Sequence, residues 1–204
     1  MNKLNIRAGV IVVMIVLAAL SRLLPHPYNF SPLVAIALFG GAQFRKKWLA
    51  IIIPLAAYLI SDIALQASGA MGEYSFAQPF VIVSQFFVYG AMLLIALLGT
   101  TLREPKTIKI AGYSLTGSAL FWIISNFGVW VGNHFAAGTI MHEPGLTLGI
   151  TYLRALPFYN LMSAEMFLNA FVGDLFYCAV LFGVFALMGK QHPKWAYSEV
   201  NSAH

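Results

Sequence analysis

The chain has 204 residues, 60% of them hydrophobic and only 9% charged, with a mean hydropathy of +0.79. Soluble domains carry charge on about a quarter of their residues, so an ordinary soluble domain is excluded. The net charge of +5 is not the footprint of a nucleic-acid binder, because ten of the 12 basic residues fall in four places separated by apolar stretches.

Those places are Lys3/Arg7, Arg45/Lys46/Lys47, Arg103/Lys106/Lys109 and Lys190/Lys194; Arg22 and Arg154 lie elsewhere. Cationic loops stay on the cytoplasmic side, while apolar spans of about 20 residues cross a bilayer. Basic and non-basic ends alternate so as to give six crossings. The expectation is an all-α, six-helix transmembrane bundle in a bacterial inner membrane, with both termini cytoplasmic. Residues 1–190 form one transmembrane domain and 191–204 a short cytoplasmic tail. The inner cations meet anionic headgroups, which makes membrane lipid a partner and nucleic acid not one. The single cysteine, Cys178, excludes an internal disulfide.

The first predicted helix spans about residues 6–24. Its basic start and apolar core imitate a signal peptide, but no clean cleavage site follows, and the segment reads as a retained helix. Pro25 and Pro27 end it, since proline lacks the amide donor and restricts its predecessor. Ser31 then looks like an N-cap, with Pro32 at the first helical position. The second helix, about residues 32–44, is only ~20 Å long at 1.5 Å per residue. It is either tilted into a thinned region or begins as irregular backbone shielded by protein. Further helices are expected at about 48–66, 79–102, 108–132 and from about 160–163 to 188. Two long outer segments separate them, 67–78 and 133–159, the second carrying an apolar patch at 146–156 that lies at the interface or folds back on the bundle.

Polar groups at membrane depth are the strongest functional clue. Arg22, Asp62, Gln85, Asn126, Glu165, Asn169 and Asp174 all fall in the outer halves of the predicted helices. A charge in lipid costs a few kcal/mol (~3 on the lenient scale), so such groups face the bundle interior or a wet cavity. Their bias to one side predicts a polar cavity open to the outside and closed below by apolar packing. Asn126, Trp130 and Asn133 share one stripe at i, i+4 and i+7. Amides beside an indole suit a flat ring with polar edges; equally, the asparagines serve helix–helix bonding with the Trp at the interface. Glu165 and Asp174, nine residues apart, cannot face one narrow pocket. Asp174 either pairs with Arg22 or sits buried in neutral form. His134, His142 and Glu143 match no metal signature and read as solvated loop residues, so no metal or cofactor is expected. Ala37, Gly40 and Gly41 form a small-residue surface for close helix approach.

Nucleotide-binding, metalloprotease and serine-hydrolase motifs are absent from the sequence. It therefore reads as a non-enzyme, whose active transport draws on a partner or an ion gradient.

The stretch from Arg22 to Pro32, continuing through Ala35 to Gly41, resembles the start of a family of uncharacterised bacterial membrane proteins grouped with the substrate-binding S components of energy-coupling factor (ECF) vitamin transporters. So do Ser61-Asp62, residues 125–128, 156–160 and 173–175. The resemblance implies a six-helix S-component-like fold with a ligand site near the outer face, and an ECF-type energising module as partner. Two features depart from that pattern. The first helix lacks the A-x-x-x-A pair used for docking, and Cys178 is too deep for the cobalt-binding cysteine of the solitary cobalamin transporter of this class.

The function expected is uptake of a vitamin-like or heterocyclic small molecule. Its site would be built from Asn29, Asp62, Asn126, Trp130, Tyr152 and Asn160, with Glu165 and Asn169 on the wall. Trp130 and Tyr152 would stack on the ligand, the amides read its polar edge, and Asp62 accept from a donor or balance a cation. Asn29 and Asn160 would fix the closing loops. The alternatives are an accessory subunit of a larger membrane complex, its Gly40-Gly41 step seating a partner, and an ion-coupled carrier using Asp62 or Asp174.

Overall fold

The computed structural model describes residues 3–70, 72, 74–156 and 161–191. Among them the chain is all-helical: α1 Lys3–Leu20, α2 Leu33–Gln43, α3 Lys47–Ala67, α4 Pro79–Gly99, α5 Thr107–Phe135, α6 Leu148–Arg154 and α7 Leu161–Gln191. A 3-10 turn, Ser21–Leu23, extends α1. Five segments are long and apolar enough to cross a membrane, and the chain is a multi-pass membrane helical bundle. Leu17, Ile52, Phe86, Leu94 and Val172 lie exposed on these helices, as expected of surface that meets lipid.

The short second helix is the centre of the molecule. Every residue of α2 except Ala42 is buried, and it touches α1, α3, α4, α5 and α7. A helix hydrophobic all round belongs in a core, and no polar face interrupts α2 before Gln43. Three close approaches seat it. A Cβ on Gly40 would run into the Pro54 ring, and one on Gly41 into the Ala96 carbonyl; one on Gly99 would lie 2.6 Å from the Leu38 carbonyl. The small-residue surface of Gly40 and Gly41 is thus occupied within the bundle. Below it, the Phe39 ring meets Phe182 and Phe185 edge-on at 5.2 and 5.7 Å.

The start of α2 differs from the sequence expectation. Pro32 is the N-cap and Leu33 the first helical residue, with no side-chain cap from the N-cap position. The start of α2 is met instead from across the bundle: the Asp174 carboxyl of α7 lies against the Val34 amide and accepts from the Ser118 hydroxyl of α5 at 2.6 Å. At the other end, Arg7 of α1 donates to the Gln43 carbonyl and to its side-chain oxygen, both at 2.9 Å. An irregular backbone segment does precede α2. There Phe30 N donates to the Pro27 carbonyl at 3.1 Å, and Asn29 holds the turn at φ 59°, a left-handed conformation that Asn tolerates better than most residues. The apolar patch folds back on the bundle as α6, packed on α5.

Candidate functional site

A cavity of about 1030 Å³ lies at the end of the bundle opposite the basic turns. Its walls come from the 3-10 turn that extends α1, the C-terminal halves of α3 and α5, the N-terminal halves of α2, α4 and α7, α6, and the loops at that end. Ser118 and Asp174 line it together with the first turn of α2, and the apolar core formed by the rest of α2 lies beneath.

One wall is an ion pair at membrane depth. Arg22 Nη1 donates to Asp62 Oδ1 and to the Ser61 hydroxyl, each at 2.6 Å. Tyr89 and Gln85 donate to Asp62 Oδ2 at 3.3 and 3.4 Å, and Tyr58 donates to Gln85. The guanidinium also lies 4.6 Å from the centre of the Tyr58 ring. An isolated carboxylate would be too costly here, and this set of donors is what keeps it in place. Asp62 itself is fully buried behind Arg22, Tyr58 and Gln85, which are the members that line the cavity. Arg22 therefore pairs with Asp62 rather than with Asp174.

The segment between α5 and α7 lines the cavity at Glu143, Leu146, Thr151, Arg154 and Ala155 and is fixed by side-chain hydrogen bonds. Asn133 donates to the Glu143 carbonyl at 3.0 Å and accepts from the Glu143 amide at 2.7 Å. Arg154 grips both Glu143 carboxylate oxygens, at 2.6 and 2.8 Å. Trp122 donates to the Ala155 carbonyl at 3.3 Å, and its ring lies 5.4 Å from that of Tyr152. The Tyr152 hydroxyl donates to the Ile123 carbonyl at 2.6 Å, and partial burial pushes this phenol up from its ordinary value.

Of the residues singled out from sequence, Asn29 and Asn126 line the cavity. Asn126 donates its amide to the Trp122 carbonyl of its own helix at 2.8 Å. Asp62 is one shell behind the wall. Trp130, Tyr152, Glu165 and Asn169 are not among the lining residues. Trp130 packs on Phe127 and His134, and Glu165 is exposed. Asn160 lies outside the described residues. The lining stripe of α5 is Ser118, Phe121, Trp122, Ser125, Asn126 and Val129, displaced one to two turns inward from the stripe of Asn126, Trp130 and Asn133. The signal for it was present: Ser118, Trp122 and Asn126 are spaced i, i+4, i+8. His134 and His142 direct Nδ1 to the backbone carbonyls of Trp130 and Asn133, as loop-fixing groups.

Over residues 2–195 the chain matches a family of unknown function (DUF6580), and it belongs to that family. No curated protein and no solved structure matches it.

Proposed function

We propose that this chain is a solute-uptake protein of the bacterial inner membrane, S-component-like, which binds a vitamin-like or heterocyclic small molecule from outside. On this reading it crosses the bilayer six times, α2 with its irregular lead-in counting as the second crossing, and both termini are cytoplasmic. The basic turns then face the cytoplasm and the cavity faces out. The observation that carries the reading is the cavity itself. It is large enough for a vitamin-sized molecule, polar on its walls through Asn29, Gln85, Ser125 and Asn126, aromatic through Trp122 and Phe121, and backed by a sealed apolar core.

A continuous pore needs polar lining through both halves, and α2 blocks that route. A binding protein that releases its solute inward therefore needs α2 or its neighbours to shift, which is where an energising partner would act. Native mass spectrometry of protein released gently from its own membranes tests the reading. A stoichiometric small molecule, lost in Trp122→Ala and Asn126→Ala, supports it; an empty protein carrying other polypeptides refutes it.

One observation favours the accessory-subunit reading. The Arg22–Asp62–Gln85–Tyr58–Tyr89 cluster is satisfied largely by its own members, as helix-joining groups would be. Against it, the Gly40-Gly41 step offers a partner no seat, since α3 and α4 already fill it.

A further inference from the structure

With Asp174 counted as ionised, the formal charges at the cavity do not balance. Arg22 is matched by Asp62, and Arg154 by Glu143, each at 2.6 Å. Asp174 also lines the cavity and is 6% exposed, yet no cationic side chain meets it among the described residues. Its partners are the Ser118 hydroxyl and the Val34 amide. The amide end of α2 supplies about half a positive charge, which leaves the carboxylate only partly compensated. A carboxylate at membrane depth is held by pairing, and this one lines the cavity. Aromatic rings line the same space, among them Phe121, Trp122 and Phe171, and such faces attract cations.

We infer that the cavity takes an organic cation, a flat or apolar body bearing a protonated amine or a cationic heterocycle, whose charge is met by Asp174. The inference rests on the uptake reading and narrows its substrate class. Carboxylic acids are disfavoured, because both arginines of the wall already hold a carboxylate. Ser118, which lines the cavity beside it, fixes the Asp174 carboxyl through a 2.6 Å hydrogen bond.

The test is a titration of wild-type protein in lipid nanodiscs with three probes of similar shape: 2-phenylethylamine, 2-phenylethanol and 3-phenylpropionate. Binding is followed by tryptophan fluorescence and by thermal shift. The amine is expected to bind at least tenfold more tightly than the alcohol or the acid, and Asp174→Asn to abolish that preference. Equal or tighter binding of the acid or alcohol overturns the inference, as does failure of all three probes or a preference that survives in Asp174→Asn. The wild-type comparison decides the matter even where the variant fails to fold. A stoichiometric native ligand without a basic nitrogen would sink this inference and leave the uptake reading standing; an empty protein would sink both.

Discussion

Asp174 and Arg7 sit at opposite ends of the same short helix. The carboxyl meets the first turn of α2, and the guanidinium donates to the carbonyl of its last residue, Gln43. Both side chains are buried. A helix leaves amides bare at its start and carbonyls bare at its end, and apolar surroundings cannot satisfy them. Groups from α1 and α7 do so here, with signs that suit the helix dipole.

Removing Arg7 should therefore cost more than removing a surface arginine. Arg7→Leu strips two bonds from Gln43, and loss of a charged donor to a buried acceptor costs about 1.5–3 kcal/mol. Arg45→Leu, an exposed cation by comparison, should stay within about 0.5 kcal/mol of the wild type. Thermal unfolding of both variants in one detergent checks the contrast.

The Arg22–Asp62 pair makes a sharper prediction. Breaking a buried pair from one side leaves the other charge stranded and costs about 3–5 kcal/mol. Arg22→Met and Asp62→Leu should each lower the melting temperature more than the double variant does. Additive effects in that cycle would show that the two residues do not act as a pair.

Close packing of α2 predicts a pattern among glycines. Gly41→Ala and Gly99→Ala force a methyl against backbone atoms of the neighbouring helix and should each cost about 1–3 kcal/mol. Gly90 and Gly183 have open space where the methyl would go. Alanine there should be neutral or stabilising by up to about 1 kcal/mol. Melting temperatures of the four variants measure this directly.

Asn133 holds the loop over the cavity through its two bonds to the Glu143 backbone. Asn133→Ala should raise amide hydrogen exchange across residues 140–146 while leaving the middle of α5 protected. Glu143→Gln, which loses only a half-exposed ion pair with Arg154, should change stability by about 1 kcal/mol or less. An unchanged exchange pattern in Asn133→Ala would remove this residue from the account of the loop.

Much of the helical layout could be read from the chain. Apolar length, proline positions and the Pro25–Pro32 interruption place every long helix to within a few residues, and the shortness of α2 is visible in the distance from Ser31 to Arg45. Helix azimuth was far less legible. Whether Arg22 meets Asp62 or Asp174 depends on how α1 is turned between α3 and α7, and no local pattern encodes that. The difference between Trp122 and Trp130 is one of depth: both lie one turn from Asn126 on the same face, and the cavity reaches the inner one. The trans cap on α2 was hidden because its donors and acceptor come from three separate helices.

The central claim is a cavity that opens outward and ends on α2. Cysteine accessibility in intact cells tests it most directly, in a Cys178→Ser background so that the buried native thiol does not contribute. Single cysteines replace Ser125, which lines the cavity, and Ser114, which is buried beside the core below it. A membrane-impermeant methanethiosulfonate added outside is predicted to label Ser125→Cys and spare Ser114→Cys. Labelling of Ser125→Cys only from inverted vesicles, or of both positions from either side, would contradict the account.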